Sequence, residues 1–163
     1  MNTDVNRISG RKLLSNNFEL WVLLDHVRSI ISRSREMELA VYGLTPEQAA
    51  VLDTLLKSNG SATIVEIAES IIRKYNSVST LVSRMAKIGL VKKKKTSDGK
   101  KFIVSITEKG RTTYEKVPRN SIEMAFSELT KEENRMLVQL LNKLLERNRT
   151  LLGMDFKPPF LSS

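Results

Sequence analysis

Apolar side chains recur along most of this chain at intervals of three and four, the spacing of one helical face. Phe18, Trp21, Val22, Leu24, Val27, Ile30 and Ile31 follow it and predict a helix from Phe18 to about Ala40. Leu44-Thr45-Pro46-Glu47-Gln48 reads as a sharp helix start, with Thr45 as cap, Pro46 in the first turn and Gln48 where a capping box needs it. Ala49, Leu52, Leu55 and Leu56 continue that helix to Asn59-Gly60. Thr63-Ile64-Val65-Glu66 opens a short helix, and another runs from about Tyr75 to Ile88, stopped by Gly89. The turn between these two, at Arg73-Lys74, has no glycine to mark it.

The helical period is interrupted only between Leu90 and Ile106. There two extended runs flank Asp98-Gly99, a hairpin turn, and Phe102, Val104 and Ile106 alternate with Ile103 and Ser105. Thr107 caps a further helix, which Pro118 should kink or divide. Thr130-Lys131-Glu132-Glu133 starts a last, strongly apolar helix through Met136, Leu137, Leu140, Leu141, Leu144 and Leu145, ending at Gly153. The expected fold is mainly α with a small β-hairpin: a helix-turn-helix followed by a wing, six helices in all, the terminal ones forming a dimer arm. The expected organisation is a flexible segment 1–16, a helical dimerisation region made of 17–42 and 118–163, and a winged helix-turn-helix at 43–117.

Composition narrows the chemistry. The 163 residues are 40% hydrophobic and 28% charged, ordinary values for one globular domain with a sizeable core. There is no cysteine and only one histidine, so disulfides, thiolate nucleophiles and a His-cluster metal site within one chain are disfavoured. The longest purely apolar stretches, such as Trp21-Val22-Leu23-Leu24, are a few residues long, so neither a membrane span nor a signal peptide is expected. A cytoplasmic protein is the default. No nucleophile–base pair or glycine-rich phosphate loop is visible, so an enzyme, a metal and a cofactor are not expected.

The charge is unevenly placed. Arg73, Lys74, Arg84, Lys87, Lys92, Lys93, Lys94, Lys95, Lys100 and Lys101 face only Asp98 within 73–101, so this one helix and hairpin carry the whole net charge of +9. The remaining 17 basic and 17 acidic residues cancel. A local cationic excess of this kind suits a polyanion. On the 75–88 helix, Val78, Leu81, Val82, Met85 and Ile88 share one side, while the opposite side has hydroxyls, an amide and bases but no acid. An ordinary solvated face usually mixes Glu with Lys. In the second helix of a helix-turn-helix this face enters the major groove, which would put Asn76, Ser77, Ser79, Thr80, Ser83 and Arg84 against base edges. Lys74, Tyr75 and Lys87 would hold phosphate. Lys92, Lys93, Lys94, Lys95, Lys100 and Lys101 make a basic finger around Asp98, although lysines also serve simply to blunt an edge strand. Asp98 would be a plain turn residue or an orienter of Lys100.

The two terminal helices are too apolar to lie loose in water. Phe18, Trp21, Leu137, Leu140, Leu141 and Leu144 are expected to pack helix on helix and against a second copy, which also suits half-sites about 34 Å apart on DNA. Trp21, His26 and Tyr42 could line a ligand pocket between arm and DNA-binding part, although a lone histidine among aromatics is more often core.

Ile67-Ala68, Val78-Ser79, Leu81-Val82, Arg84-Met85 and Gly89-Leu90-Val91 together resemble the helix-turn-helix of the MarR (multiple antibiotic resistance) family of transcription regulators. Asp98-Gly99-Lys100, with Val104-Ser105-Ile106-Thr107-Glu108-Lys109-Gly110, is similar to its wing and the exit from it, and Leu44-Thr45-Pro46-Glu47-Gln48 is similar as well. The resemblance, over roughly residues 18–150, implies a six-helix homodimer on a pseudo-palindromic operator. It also implies repression or activation, and release by a small aromatic or anionic effector. Two departures stand out: the wing has Lys100 where the family usually has arginine, and Arg73-Lys74-Tyr75-Asn76 lacks the usual Gly-Leu-Ser type of turn. The competing reading is a winged helix for protein–protein contact or RNA, without operator recognition.

Overall fold

The computed structural model describes residues 17–97 and 99–154 of the chain. The expected flexible segment 1–16, the turn residue Asp98 and the stretch 155–163 lie outside the described residues. The order of elements is α1 (Asn17–Ala40), α2 (Pro46–Lys57), β1 (Ser61–Thr63), α3 (Ile64–Ser70), α4 (Tyr75–Lys87), β2 (Val91–Lys95), β3 (Phe102–Ile106), α5 (Glu108–Glu115), α6 (Asn120–Phe126) and α7 (Lys131–Leu151).

Local chemistry accounts for most of these boundaries. All three expected capping boxes form: Thr45 with Gln48, Thr63 with Glu66, and Thr130 with Glu133. In each, the threonine hydroxyl accepts from the third helical N–H, and that residue's side chain accepts from the threonine N–H. Backbone and hydroxyl donation from Thr130 holds the Glu133 carboxyl below its ordinary pKa. Pro118 divides the chain between α5 and α6, so there are seven helices among the described residues rather than the expected six.

The turn between α3 and α4 is closed without glycine. Ile72 takes φ 52°, the Arg73 N–H donates to the Ala68 carbonyl at 2.9 Å, and the Ile72 N–H donates to Glu69 at 3.3 Å. This is the Schellman arrangement, in which a glycine normally takes the left-handed position. A β-branched residue there is strained, and Ile72 also remains 62% exposed.

The three strands form one antiparallel sheet in the order β1-β3-β2. β1 was not anticipated. Ser-Ala-Thr is too short to show a period, and it becomes a strand by pairing Ala62 with Val104 on the free edge of β3. The inner face of the sheet carries Ala62, Val91 and Val104, which pack with Leu52, Leu55, Ile67, Val78, Val82 and Met85 into a single buried core. Thr107 locks the wing to this core: its hydroxyl donates to the Gly89 carbonyl at 2.7 Å and accepts from the Gly110 N–H at 3.0 Å. At Gly110 the approach is so close that a Cβ would sit 2.1 Å from the Leu90 carbonyl oxygen, so only glycine fits.

The arms differ from this body. α1 touches α2 and α6, and only Leu39 of its 24 residues is buried. α7 makes no substantial contact with any other element among the described residues, so the expected packing of the first and last helices on each other is not seen within one chain. At the joint of arm and body, Arg35 on α1 bridges to Glu38 and donates to the Pro118 carbonyl. Ser121 donates to Glu38 through both its N–H and its hydroxyl. The Ser121 hydroxyl, and after it Arg35, holds the Glu38 carboxyl below its ordinary pKa.

Candidate nucleic-acid interface

α4 has two clean faces. Val78, Val82 and Met85 are buried, while Lys74, Tyr75, Asn76, Ser77, Thr80, Arg84 and Lys87 are exposed. The helix has no acid in its first turn and no side chain capping its N-terminus, so no side chain offsets the positive end of its dipole. Ser77 and Arg84 line one wall of an open cleft of about 360 Å³, with Arg73 at its rim and Thr45, Glu47 and Gln48 of the α2 start opposite.

Ser79 and Ser83 stand apart from that outward face. Both are half-buried, and the Lys93 ammonium donates to the Ser79 hydroxyl at 3.3 Å and to the Ser83 hydroxyl at 3.2 Å. The Ser83 hydroxyl donates in turn to the Ser79 carbonyl at 2.8 Å. Thr80 remains exposed, its hydroxyl donating to the Asn76 carbonyl at 3.0 Å.

The β2–β3 pairing sorts the four consecutive lysines. Lys93 pairs with Val104 and Lys95 with Phe102, on the same face of the sheet as buried Val91, whereas Lys92 pairs with Ser105 and Lys94 with Ile103 on the opposite, solvent face. The Lys93 ammonium lies 4.4 Å from the centre of the Phe102 ring and that of Lys95 5.7 Å away. Lys100 and Lys101 are exposed at the hairpin tip, which is closed by Thr96 and Lys101 through the Thr96 N–H to the Lys101 carbonyl at 2.9 Å. Exposed cations therefore extend from the α4 turn along the wing.

No group of three or more His, Cys, Asp or Glu side chains able to hold a metal occurs among the described residues. No helix there is long and apolar enough to cross a membrane.

The expected ligand pocket of Trp21, His26 and Tyr42 does not assemble within one chain. The helical rise puts Trp21 about 28 Å along α1 from the end that leads to Tyr42. Tyr42 packs on the core, while Trp21 is exposed with its ring 5.6 Å from Phe18 and His26 is exposed, its Nδ1 2.9 Å from the Val22 carbonyl. A different cavity, of about 460 Å³, lies where α1, α2 and α5 meet, lined by Arg35, Asp53, Arg111, Tyr114 and Arg119. Burial, and then the Asp53 carboxylate that accepts its hydroxyl at 3.2 Å, raise the pKa of Tyr114.

Residues 39–120, half of the chain, match the family model described as sugar-specific transcriptional regulator TrmB. The chain belongs to this TrmB family of transcriptional regulators. No curated protein matches it. Among solved structures, it is similar to the organohalide-sensing regulator RdhR-CbdbA1625 in its 2,4-dichlorophenol-bound form, with 29% identity over 95% of this chain and 99% of that one, at a TM-score of 0.73. A mutant of MarR from E. coli complexed with operator DNA shares 21% identity over 80% of this chain and 99% of its own, at a TM-score of 0.72. AbsC, a MarR family regulator from Streptomyces coelicolor, shares 24% over 86% and 99%, at a TM-score of 0.75. The latter two likenesses concern the fold.

For this regulator, the resemblance read from the α4 and wing motifs holds, and so does the expected architecture of a mainly helical chain with a small wing. What the sequence reading missed is the inward turn of Ser79, Ser83 and Lys93. Only the alternation along β2 hinted at it, because Lys93 lies two residues from buried Val91.

Proposed function

We propose that this DNA-binding regulator works as a homodimeric repressor on a pseudo-palindromic operator. One observation carries the reading: α4 exposes cations and no acid, the wing that follows it exposes five lysines, and the apolar residues of α1 and α7 are left uncovered. Asn76, Ser77, Thr80 and Arg84 read base edges; Lys74, Tyr75 and Lys87 hold phosphate; Lys92, Lys94, Lys95, Lys100 and Lys101 follow the backbone from the wing. Segments 17–42 and 118–163 form the dimerisation region through Phe18, Trp21, Leu137, Leu140, Leu141 and Leu144. A small aromatic or anionic effector releases the DNA by occupying the cavity beside Arg35, Tyr114 and Arg119, whose walls belong to both arm and body.

The test begins with selection of duplexes from a random library by the purified chain, followed by titration of the selected duplex against salt. The logarithm of affinity should fall linearly with the logarithm of salt concentration, and Lys94→Ala should lower the slope by about one for each phosphate it no longer neutralises. Affinity independent of salt, or equal for the selected duplex, a scrambled duplex and a structured RNA, would overturn the reading in favour of a general binding module.

A further inference from the structure

The hairpin of a winged helix is joined to its DNA-reading helix by a short turn, and two rigid pieces so joined need a further contact to hold their mutual angle. In this chain the base of the wing is held by the shared core, Val91 and Val104 against Val78, Val82 and Met85, and one polar side chain adds a contact from β2 to α4 beyond it. Lys93 leaves β2 beside buried Val91 and Val104, crosses the Phe102 ring, and places its ammonium between two hydroxyls one turn apart on α4. It is the only lysine of the β2 run with a hydrogen bond to α4 among the described residues.

We propose that Lys93 is a positioning residue that sets the angle between wing and α4 on DNA, and is not one of the phosphate-binding lysines. The geometry favours this on three counts. The ammonium already has two of its three donors engaged and a ring below it, so reaching a phosphate would mean leaving all of these partners. The Ser83 hydroxyl donates to the Ser79 carbonyl and accepts from Lys93, which takes it out of base reading. The strand alternation puts Lys92 and Lys94 on the other face, and Lys95, though on the face of Lys93, is exposed, so Lys93 alone of the run is drawn in. The proposal rests on the reading of α4 and the wing as the DNA interface.

Lys93→Met, Lys94→Ala, Ser79→Ala/Ser83→Ala and the triple variant would be compared with the parent on the selected duplex and on poly(dI-dC). Lys93→Met should bind the selected duplex about tenfold more weakly, lose little on poly(dI-dC), and keep the parent's salt slope. Lys94→Ala should lower the slope with both DNAs. In the Ser79→Ala/Ser83→Ala background, Lys93→Met should cost little more, since its partners are gone. Without DNA, amide hydrogen exchange at 96–101 should quicken in Lys93→Met and not in Lys94→Ala, and thermal melting would show that both variants fold. A slope lowered by about one with specificity intact would make Lys93 an ordinary phosphate contact and overturn the proposal. Unchanged exchange in Lys93→Met would overturn it as well. Failure of the parent to select any duplex would overturn the DNA-interface reading instead, and the exchange comparison would still decide whether Lys93 holds the wing.

Discussion

The winged body and the helical arms are built on opposite plans. From α2 to α5, apolar residues are spent inward: Val51, Leu52, Leu55, Ile67, Val82 and Val104 are fully buried, and the sheet, α3 and α4 close over one core. In α1, α6 and α7 the apolar residues face out, with Phe18 at 68%, Trp21 at 62%, Met124 at 74% and Leu140 at 56% exposure. A monomer rarely leaves so many large apolar side chains in water. The body thus closes over its own core, whereas the arms leave their apolar side chains uncovered, the surface that the proposed dimer would bury.

The sharpest way to break this contrast is to charge the arm. Leu141→Asp with Leu144→Asp should weaken self-association by about 1000-fold, because each carboxylate would have to be desolvated at the interface. Sedimentation should show the parent at twice the chain mass and the variant at one, with the melting signature of the body retained. A variant that stays dimeric would move the interface elsewhere. The converse experiment strikes the body. Gly110→Ala should cost about 3 kcal/mol in chemical denaturation, since the new methyl meets the Leu90 carbonyl and the α5 start must shift away from the wing. A loss below about 1 kcal/mol would mean that the joint between wing and α5 is looser than its geometry indicates.

Ile72→Gly should act in the other direction. Relieving a β-branched residue of its left-handed φ should add about 1 kcal/mol, with little burial forfeited at so exposed a side chain. The smallest effect is expected at the joint of arm and body. Because the Glu38 pKa is lowered in the folded state, its contribution is complete above the ordinary value of 4.5 and is lost as pH falls through the lowered one. Melting temperature followed from about pH 6 to about pH 3 should therefore fall less steeply in Glu38→Gln than in the parent. Parallel curves would remove this carboxylate from the acid response.

How much of this could be read from the residues alone depends on the range of the interaction involved. Thr45, Thr63, Thr107 and Thr130 announced their helices, and Gly89 and Pro118 their ends, because a cap or stop is decided within a few residues by bonds to the nearest backbone groups. The hairpin and the concentration of charge between Arg73 and Lys101 were legible for the same reason. The α3–α4 turn was marked only as unusual, since a left-handed isoleucine contradicts local preference and is held there by the body around it.

Sequence by itself determined most of the elements, their order and the cationic segment, because helical period, strand alternation and formal charge are properties of neighbours along the chain. Only the tertiary structure decided which of the polar residues remain outward. The approach of β2 to α4 turned Lys93, Ser79 and Ser83 toward one another, the free edge of β3 made Ser61–Thr63 a strand, and the length of α1 separated Trp21 from Tyr42. Each of these outcomes depends on how rigid elements meet in space, and contacts between residues distant in sequence leave no periodic trace in it.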